Sequence, residues 1–179
     1  MGGMKLGFVA ALLLTLATGQ GGQSVHATYR STDGGKSWVR ASQGLPESAR
    51  VNAYAVAGGS ILAGSDAGLY VSKDRAMSWT PVADVTARVL SLAVSGRQVF
   101  AGTRASGLLQ SDDGGQSWAR SRSFPGEEVL SLVSDGAAVY AGTNRQGVLA
   151  SHDRGLSWAP MNEGLPVDSQ VFALAEAGG

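Results

Sequence analysis

The sequence predicts an all-β fold, a β-propeller of four-stranded antiparallel blades that either closes with four blades or is a partial propeller. An eight-residue motif of the form Ser-x-Asp-x-Gly-x-Ser-Trp occurs four times, and its aspartates, Asp33, Asp74, Asp113 and Asp153, are 41, 39 and 40 residues apart. A fixed period of about 40 residues with one turn motif per unit is typical of a repeat architecture. Each unit also contains four short apolar or alternating runs between Gly-rich turns, the pattern of a propeller blade.

The eight-residue motif, called the octet below, is predicted to form a tight turn with a structural role. The Asp side chain accepts hydrogen bonds from backbone N–H groups of the turn, and the Gly two positions later adopts a positive φ that other residues resist. The Ser and the Trp anchor the hairpin, and the indole covers apolar surface between strands. The residues assigned to this role are Ser31, Asp33, Gly35 and Trp38 in octet 1, Ser72, Asp74 and Trp79 in octet 2, Ser111, Asp113, Gly115 and Trp118 in octet 3, and Ser151, Asp153, Gly155 and Trp158 in octet 4. In octet 2, Ala76 replaces the glycine, so that turn is expected to be strained or differently shaped.

The rest of each unit repeats in register with the octets. The innermost strand of a blade is predicted to start at Val51, Val89, Val129 and Val171. A second strand, a third strand that runs into the octet and a short fourth strand after the Trp complete the unit. Four strands of this length per repeat favour a propeller over a helical solenoid.

The four octets in register resemble the Asp-box, or BNR, repeat family, and they cover nearly all of the chain after residue 19. That family includes sialidases, some endoglucanases, the sortilin-type receptor domains and the photosystem II assembly factors. The resemblance implies a β-propeller. It does not assign an activity, because one fold carries many functions.

Composition excludes several classes of function. The 179 residues carry 14 basic and 14 acidic side chains, so no basic excess points to nucleic acid. The absence of cysteine excludes disulfides, thiolate chemistry and Cys-ligated metals. The two histidines, His26 and His152, are far apart and have no metal-ligand spacing. We therefore predict neither a metal nor a cofactor.

Residues 1–19 are predicted to be a secretory signal peptide, and residues 20–179 to be the propeller. Lys5 precedes an apolar run, residues 6–16, whose 11 residues are too few for a stable membrane span. Small residues at 17–19 follow, as at a signal-peptidase site. The alternative is that residues 8–16 form an inner strand of a blade. With a signal peptide the protein would be secreted or periplasmic.

The ring is predicted to close by sharing one blade between its two ends. The inner strand 171–177 would join a first blade supplied by the N-terminal region, with residues 23–28 in the second-strand position. Closure would hide sheet edges that otherwise invite aggregation. The alternatives are a fragment of a larger repeat protein, or a half-ring that pairs with another chain as a homo-oligomer.

Ligands of propellers usually bind near the central channel, and the octets are expected on the opposite rim. The loops on the ligand side are predicted at 41–50, 81–88, 121–128 and 160–170, with shorter ones at 64–68, 102–107 and 142–147. The candidate ligand-binding residues in them are Arg50, Arg88, Arg104, Arg145 and Glu128. The arginines suit an anionic ligand or a carboxylate-bearing partner. The alternative is ordinary loop charge paired with Glu47, Asp66, Asp84 or Glu127.

The leading functional hypothesis is a non-enzymatic binding or scaffolding propeller that presents a loop face to a protein or, with less support, to a glycan. The alternative is a sialidase-like or other glycoside hydrolase, in which the arginines would bind the substrate carboxylate and Asp84 or Glu128 would be the acid. The resemblance would also require a Tyr nucleophile, but Tyr54, Tyr70 and Tyr140 all fall in predicted strands. The loops are short for a glycan cleft, so no catalytic residue is assigned.

Overall fold

The computed structural model describes residues 12–20 and 23–177 of the chain, and all regular structure in this part is β-strand. No helix found there is long and apolar enough to cross a membrane. The strands are β1 Leu12–Gln20, β2 Gln23–Ser31, β3 Val39–Arg40, β4 Val51–Ala57, β5 Ser60–Ser65, β6 Gly68–Ser72, β7 Thr80–Pro81, β8 Val89–Ser95, β9 Gln98–Thr103, β10 Leu108–Ser111, β11 Ala119–Arg120, β12 Val129–Ser134, β13 Val139–Thr143, β14 Val148–Ser151 and β15 Ala159–Pro160.

Three of the sheets are complete four-stranded antiparallel blades whose strands follow one another in chain order. Blade 2 consists of β4 to β7, blade 3 of β8 to β11 and blade 4 of β12 to β15. The first strands of these blades, β4, β8 and β12, are neighbours in space, so the sheets are arranged side by side with their inner strands together. This arrangement confirms the predicted fold class, an all-β propeller.

Blade 1 has three strands, in the order β1-β2-β3. Within it, β1 occupies the place of the second strand of the other blades, because Leu12 pairs with the octet residue Ser31 as Ile61 pairs with Ser72. The predicted signal peptide therefore overlaps a strand from residue 12 onward, and its first 11 residues lie outside the described part of the chain. The alternative was an inner strand at residues 8–16; of these, residues 12–16 lie in β1, which holds the place of a second strand, and residues 8–11 lie outside the described part of the chain.

The predicted closure of the ring is wrong in two details. Residues 23–28 do not take the second-strand position, because β1 holds it and pairs with β2 from Leu12↔Ser31 to Gln20↔Gln23. Residues 23–28 belong instead to the third strand, β2. Residues 171–177 were predicted to be an inner strand of this blade, yet they have no strand assignment and join no sheet. Residues 178–179 lie outside the described part of the chain.

The octets hold adjacent blades together. A Cβ added to Gly115 of octet 3 would lie 3.1 Å from Leu62 in the second strand of blade 2. A Cβ added to Gly155 of octet 4 would lie 2.8 Å from the ring of Phe100 in the second strand of blade 3. In octet 2, Ala76 is fully buried in a cluster against which Leu13 of β1 packs. The fifth octet residue therefore packs on the preceding blade, and β1 provides that surface for blade 2.

The turn of octet 2 has the same shape as the others, so the substitution of Ala for Gly strains it. Ala76 has a φ of 64°, compared with 89° for Gly35, 92° for Gly115 and 81° for Gly155. A left-handed conformation costs a residue with a Cβ roughly 1–2 kcal/mol. Of the two predicted outcomes, a strained turn or a different one, the structure has the strained turn.

Candidate functional site

The octet aspartates are occupied within their own turns. Asp113 accepts hydrogen bonds from the Ser117 hydroxyl at 2.6 Å, the Ser117 backbone N–H at 2.9 Å and the Ser111 hydroxyl at 2.8 Å. These hydrogen bonds, with the Ser117 hydroxyl first, hold the pKa of Asp113 well below its ordinary value of 3.8. The equivalent bonds, led by that from the Ser157 hydroxyl, lower the pKa of Asp153 to about 2. The octet aspartates are therefore ionised, and their carboxylates accept hydrogen bonds from within their own turns.

A shallow depression of about 420 Å³ lies where the inner strands begin, and we call this end of the array the strand-start face. It is lined by Arg50, Val51, Asn52, Leu90, Leu130 and Phe172. In β4 the pairing with β5 jumps from Val51 to Ala53, and the corresponding irregularity recurs in β8 and in β12. A bulge turns an extra residue out of the ladder, and the three residues skipped are Asn52, Leu90 and Leu130. Three of the six lining residues are therefore the bulge residues of successive blades.

A polar network borders the depression at blade 2. The Nε–H of Arg50 donates to Asn52 Oδ1 at 3.0 Å, and the Asn52 Nδ2 group donates to Asp66 Oδ1 at 2.9 Å and to the Val89 carbonyl at 2.8 Å. Arg88 Nε lies 2.8 Å from the same Asp66 oxygen and forms an ion pair with it. The Nε–H of Arg88 does not point at this oxygen well enough to make a hydrogen bond. The bulged Asn52 is thereby tied to the start of blade 3.

The same contact recurs at the next two blade boundaries with different chemistry. Arg104 Nε lies 3.7 Å from Glu128 Oε1, and the Gln170 side-chain amide donates to Asn144 Oδ1 at 2.9 Å. Each pair joins the short loop of one blade to the residue just before the next inner strand. The Arg104–Glu128 ion pair is largely exposed on its arginine side, and such pairs contribute about 0–1 kcal/mol to stability.

The predicted ligand-binding residues therefore have different surroundings. Arg50 lines the depression, and Arg88 is joined to it through Asp66 and Asn52. Arg104 and Glu128 pair with each other. Arg145 is exposed and has no ion-pair partner among the described residues. The pairing of Arg88 with Asp66 matches the alternative interpretation, ordinary paired loop charge.

A second cavity, of about 440 Å³, lies along the loop that follows β11. It is lined by Arg120, Ser121, Arg122, Phe124, Pro125 and Gly126. The ring of the buried Phe124 stands edge-on to that of Trp158 at 5.1 Å between centroids, so the loop is fixed to octet 4. The two arginines are both exposed at its rim.

Sequence reasoning did not identify Asn52, Leu90, Leu130 and Phe172 as lining residues. They share one signal, the second position of the repeated inner-strand motif. For Asn52, Leu90 and Leu130 that position is a bulge residue, and a bulge depends on pairing with the next strand, which a single repeat motif does not reveal. The repeat alignment alone would have placed them together without showing which way they face.

The fold and the repeated bulge define the class of this protein, a β-propeller with a depression at the start of its inner strands. The chain belongs to the family of the DUF6242 beta propeller domain, whose family model matches residues 10–134. This match includes the first residues of β1. No curated protein matches the chain.

Several solved structures share the fold. An ancestral GH74 enzyme is 26% identical, with a TM-score of 0.61 over 76% of this chain and 22% of its own. The extracellular domain of BT4673 from B. thetaiotaomicron is 18% identical, with a TM-score of 0.62 over 89% of this chain and 23% of its own. YCF48 bound to D1 peptide is 19% identical, with a TM-score of 0.51 over 80% and 50%. The chain thus spans between 22% and 50% of the lengths of these three proteins.

Proposed function

We propose that the protein is a non-enzymatic, extracytoplasmic binding propeller whose strand-start face takes an extended segment of a protein partner. The observation that carries this proposal is the depression in which the bulged Leu90 and Leu130, with Phe172, lie beside Arg50. Binding sites combine mostly apolar walls with a few polar groups that fix orientation. The depression has this composition.

The chemistry of the depression favours a particular kind of segment. Phe172 is exposed, and Leu90 and Leu130 are partly exposed, so a partner side chain could cover all three. Arg50 uses its Nε–H on Asn52, and the outer edge of the guanidinium is suited to a carboxylate. The preferred partner is therefore a segment with an apolar side chain next to an Asp, a Glu or a C-terminal carboxylate.

A protein partner and an extracytoplasmic location also have support from similar folds. YCF48 is known in complex with D1 peptide, and the BT4673 propeller is an extracellular domain. The octets resemble Asp-box repeats, and members of that family are exported. Removal of residues 1–19 would delete most of β1 from blade 1, so export by this protein would have to leave β1 on the chain.

A glycoside hydrolase is the second candidate, favoured by the 26% identity with the ancestral GH74 enzyme. Hydrolysis of a glycoside needs two carboxyl groups placed across the scissile bond. On this face Asp66 and Glu128 are each paired with an arginine and do not line the depression. The alternative of a fragment agrees with the chain covering 22% of that enzyme.

The test is a selection from a random peptide library displayed on phage, followed by fluorescence anisotropy with the enriched peptides. We expect them to share an apolar residue next to a carboxylate. The variants Arg50→Glu and Leu130→Asp should each weaken binding by about tenfold or more, as interface anchors do. The matched controls are Arg97→Glu and Val56→Asp, which change exposed residues at the other end of the inner strands.

Two results would contradict the proposal. One is enrichment of peptides whose binding is unchanged in both site variants. The other is release of reducing ends from xyloglucan, chosen because one solved structure with this fold is a GH74 xyloglucanase. Release by the wild-type chain that is lost on substitution of Glu128 would favour the hydrolase.

A further inference from the structure

Three of the four octet tryptophans pack against the loop that leaves the preceding blade, which we call the receiving loop. The indole N–H of Trp79 donates to the Ala41 carbonyl at 2.8 Å, and its backbone N–H donates to the Gln43 carbonyl at 2.9 Å. Trp118 packs on the cluster that contains Val85 of loop 81–88. Trp158 packs on Phe124 of loop 121–128. The receiving loop is therefore a general part of the interface between blades.

Loop 161–170 has the same sequence motif and turn conformation as the receiving loop 41–50. Both contain Gly-Leu-Pro, and the glycines, Gly44 and Gly164, have φ values of 89° and 82°. The N–H of Leu45 donates to Ser42 at 3.0 Å, and that of Leu165 donates to Asn162 at 2.9 Å. The equivalence extends along the chain, because inner strand β4 follows the first loop and residues 171–177 follow the second.

The two loops differ in what covers them. Ala41 of the first loop is 3% exposed beneath Trp79, whereas the equivalent Met161 is 52% exposed and Leu165 is 43% exposed. Loop 161–170 is thus a receiving loop with no octet on it in the described structure.

Octet 1 is the reverse case, an octet whose Trp has no receiving loop over it among the described residues. Trp38 is 38% exposed, compared with 3% for Trp79, and no receiving loop covers it among the described residues. Charge also favours the match: residues 160–170 include Glu163 and Asp168 and no Lys or Arg. Residues 23–41 of blade 1 include three basic residues, Arg30, Lys36 and Arg40, and one acidic residue, Asp33, whose carboxylate is bound by Ser31 and Ser37 of its own turn.

Blade 1 has no innermost strand among the described residues, and residues 171–177 hold the place of an innermost strand in the repeat. Val171 is placed like the first residue of an inner strand: its N–H donates to the Thr143 carbonyl at 3.0 Å, and its carbonyl accepts from the Ser131 hydroxyl at 3.0 Å. A Cβ added to Gly142 would lie 2.8 Å from Val171 Cγ1, as one added to Gly102 would lie 2.6 Å from Val129 Cγ1. The segment therefore lies against blade 4 in the manner of an inner strand but pairs with no second strand.

We propose that two copies of this chain associate head to tail, with loop 161–170 of one copy receiving Trp38 of the next and residues 171–177 completing blade 1 of the next. By analogy with Val51↔Ser65 and Val56↔Ile61 in blade 2, Val171 pairs with Leu16 and Glu176 with Leu12. The interface joins two different surfaces, so repetition gives a closed ring if the rotation permits and a filament if it does not. The association does not rest on the peptide site proposed above, although the two share Phe172, which lines the depression and lies within residues 171–177.

Light scattering on the full chain over a dilution series tests the association. We expect a mass of two or more chains that falls on dilution. A Cβ at Gly44 would lie 2.0 Å from the Trp79 carbonyl oxygen, so a Cβ at Gly164 should meet Trp38 of the second copy in the same way. Gly164→Ala should therefore weaken association by about tenfold or more, as loss of an interface anchor does.

The matched control is Gly136→Ala. Gly136 has a φ of 90° and, like Gly164, has nothing within 4 Å of an added Cβ, so both variants carry the same backbone strain. Gly136→Ala should leave the mass unchanged. An equal effect of both variants would overturn the proposal.

Disulfide formation between single-cysteine variants distinguishes association of two copies from closure of one chain on itself. The experiment is possible because the natural chain has no cysteine. Leu12→Cys and Glu176→Cys change exposed residues that the proposed register places opposite each other. A mixture of the two variants should give a linked dimer on oxidation, and a mixture of Val25→Cys with Glu176→Cys should not. A monomeric wild-type chain, with a disulfide only within the double variant Leu12→Cys/Glu176→Cys, would show self-closure and overturn the proposal. The peptide-binding test uses variants of Arg50 and Leu130, which lie outside residues 161–177, so failure of the association and failure of the peptide site give different results.

Discussion

Trp79 and Trp38 hold the same position in their octets but differ in their surroundings. The local turns match: Ser31 donates to Asp33 at 2.7 Å, and Ser72 donates to Asp74 at 2.8 Å. The indole of Trp79 is buried against loop 41–50 of blade 1, whereas that of Trp38 is exposed. The octet therefore determines its own turn, and the preceding blade determines how much its Trp contributes to stability.

Blades 2, 3 and 4 differ from blade 1 in the same way, in whether a preceding blade supports their octet. Blades 2, 3 and 4 have an octet packed on a second strand of the blade before. For blade 2 that strand is β1, whose Leu13 packs near Ala76 and whose Thr15 hydroxyl lies 2.8 Å from the Tyr54 hydroxyl. Blade 1 therefore serves as the support for blade 2.

The largest effect is expected from removal of residues 1–19. This change deletes most of β1 and exposes the cluster of Ala76 and Trp79, so the free energy of unfolding should fall by on the order of 5 kcal/mol, much of the stability of a domain. Urea unfolding followed by Trp fluorescence measures it. Removal of residues 1–11 is the control, because it leaves β1 intact. Equal stability of both shortened chains and the full chain would mean that β1 is dispensable, in favour of a cleaved signal peptide.

The second prediction compares the two tryptophans directly. Trp79→Ala should lower the free energy of unfolding by about 3–5 kcal/mol, the usual cost of truncating a buried large aromatic side chain. Trp38→Ala should cost about 1 kcal/mol or less when measured in dilute solution, because an exposed side chain away from core features contributes little. Chemical denaturation of both variants gives the two values.

The phenylalanine variants sharpen this comparison. Trp79→Phe keeps a ring but removes the hydrogen bond to Ala41, and should cost about 1 kcal/mol. Trp38→Phe should be nearly neutral. Similar losses at both positions would contradict the view that the preceding blade supplies the difference.

The parts of the fold that could be predicted from the sequence are those set by local chemistry. The bonds from Ser111 and Ser117 to Asp113 lie within one octet, so spacing alone located the turns and the strands beside them. The role of β1 could not be predicted in this way, because its Leu-rich run has the composition of a signal peptide. The distinction rests on pairing with β2, which composition does not reveal.

The site was predictable only in outline. The repeat alignment placed Arg50, Arg88 and Glu128 at equivalent positions, and the structure has them at the start of successive inner strands. Which of them face the depression depends on partners in the neighbouring blade, such as Asp66 for Arg88. Such a partner lies outside the repeat that contains the residue, so the pattern within one repeat does not indicate it.

The backbone of the octet turn should not differ along the array, and only a small effect is expected from changes in it. Arg75 has a φ of 62° where Gly34 and Gly114 have 74° and 80°, and its side chain is exposed. Arg75→Gly should raise the free energy of unfolding by about 0.5–1 kcal/mol, because the relief of left-handed strain outweighs the extra chain entropy of glycine. Thermal unfolding measures the change. Gly34→Ala in blade 1 and Gly114→Ala in blade 3 should lower stability by similar amounts, since turn strain is local. A much larger loss at Gly114 than at Gly34 would mean that this position, too, depends on the preceding blade.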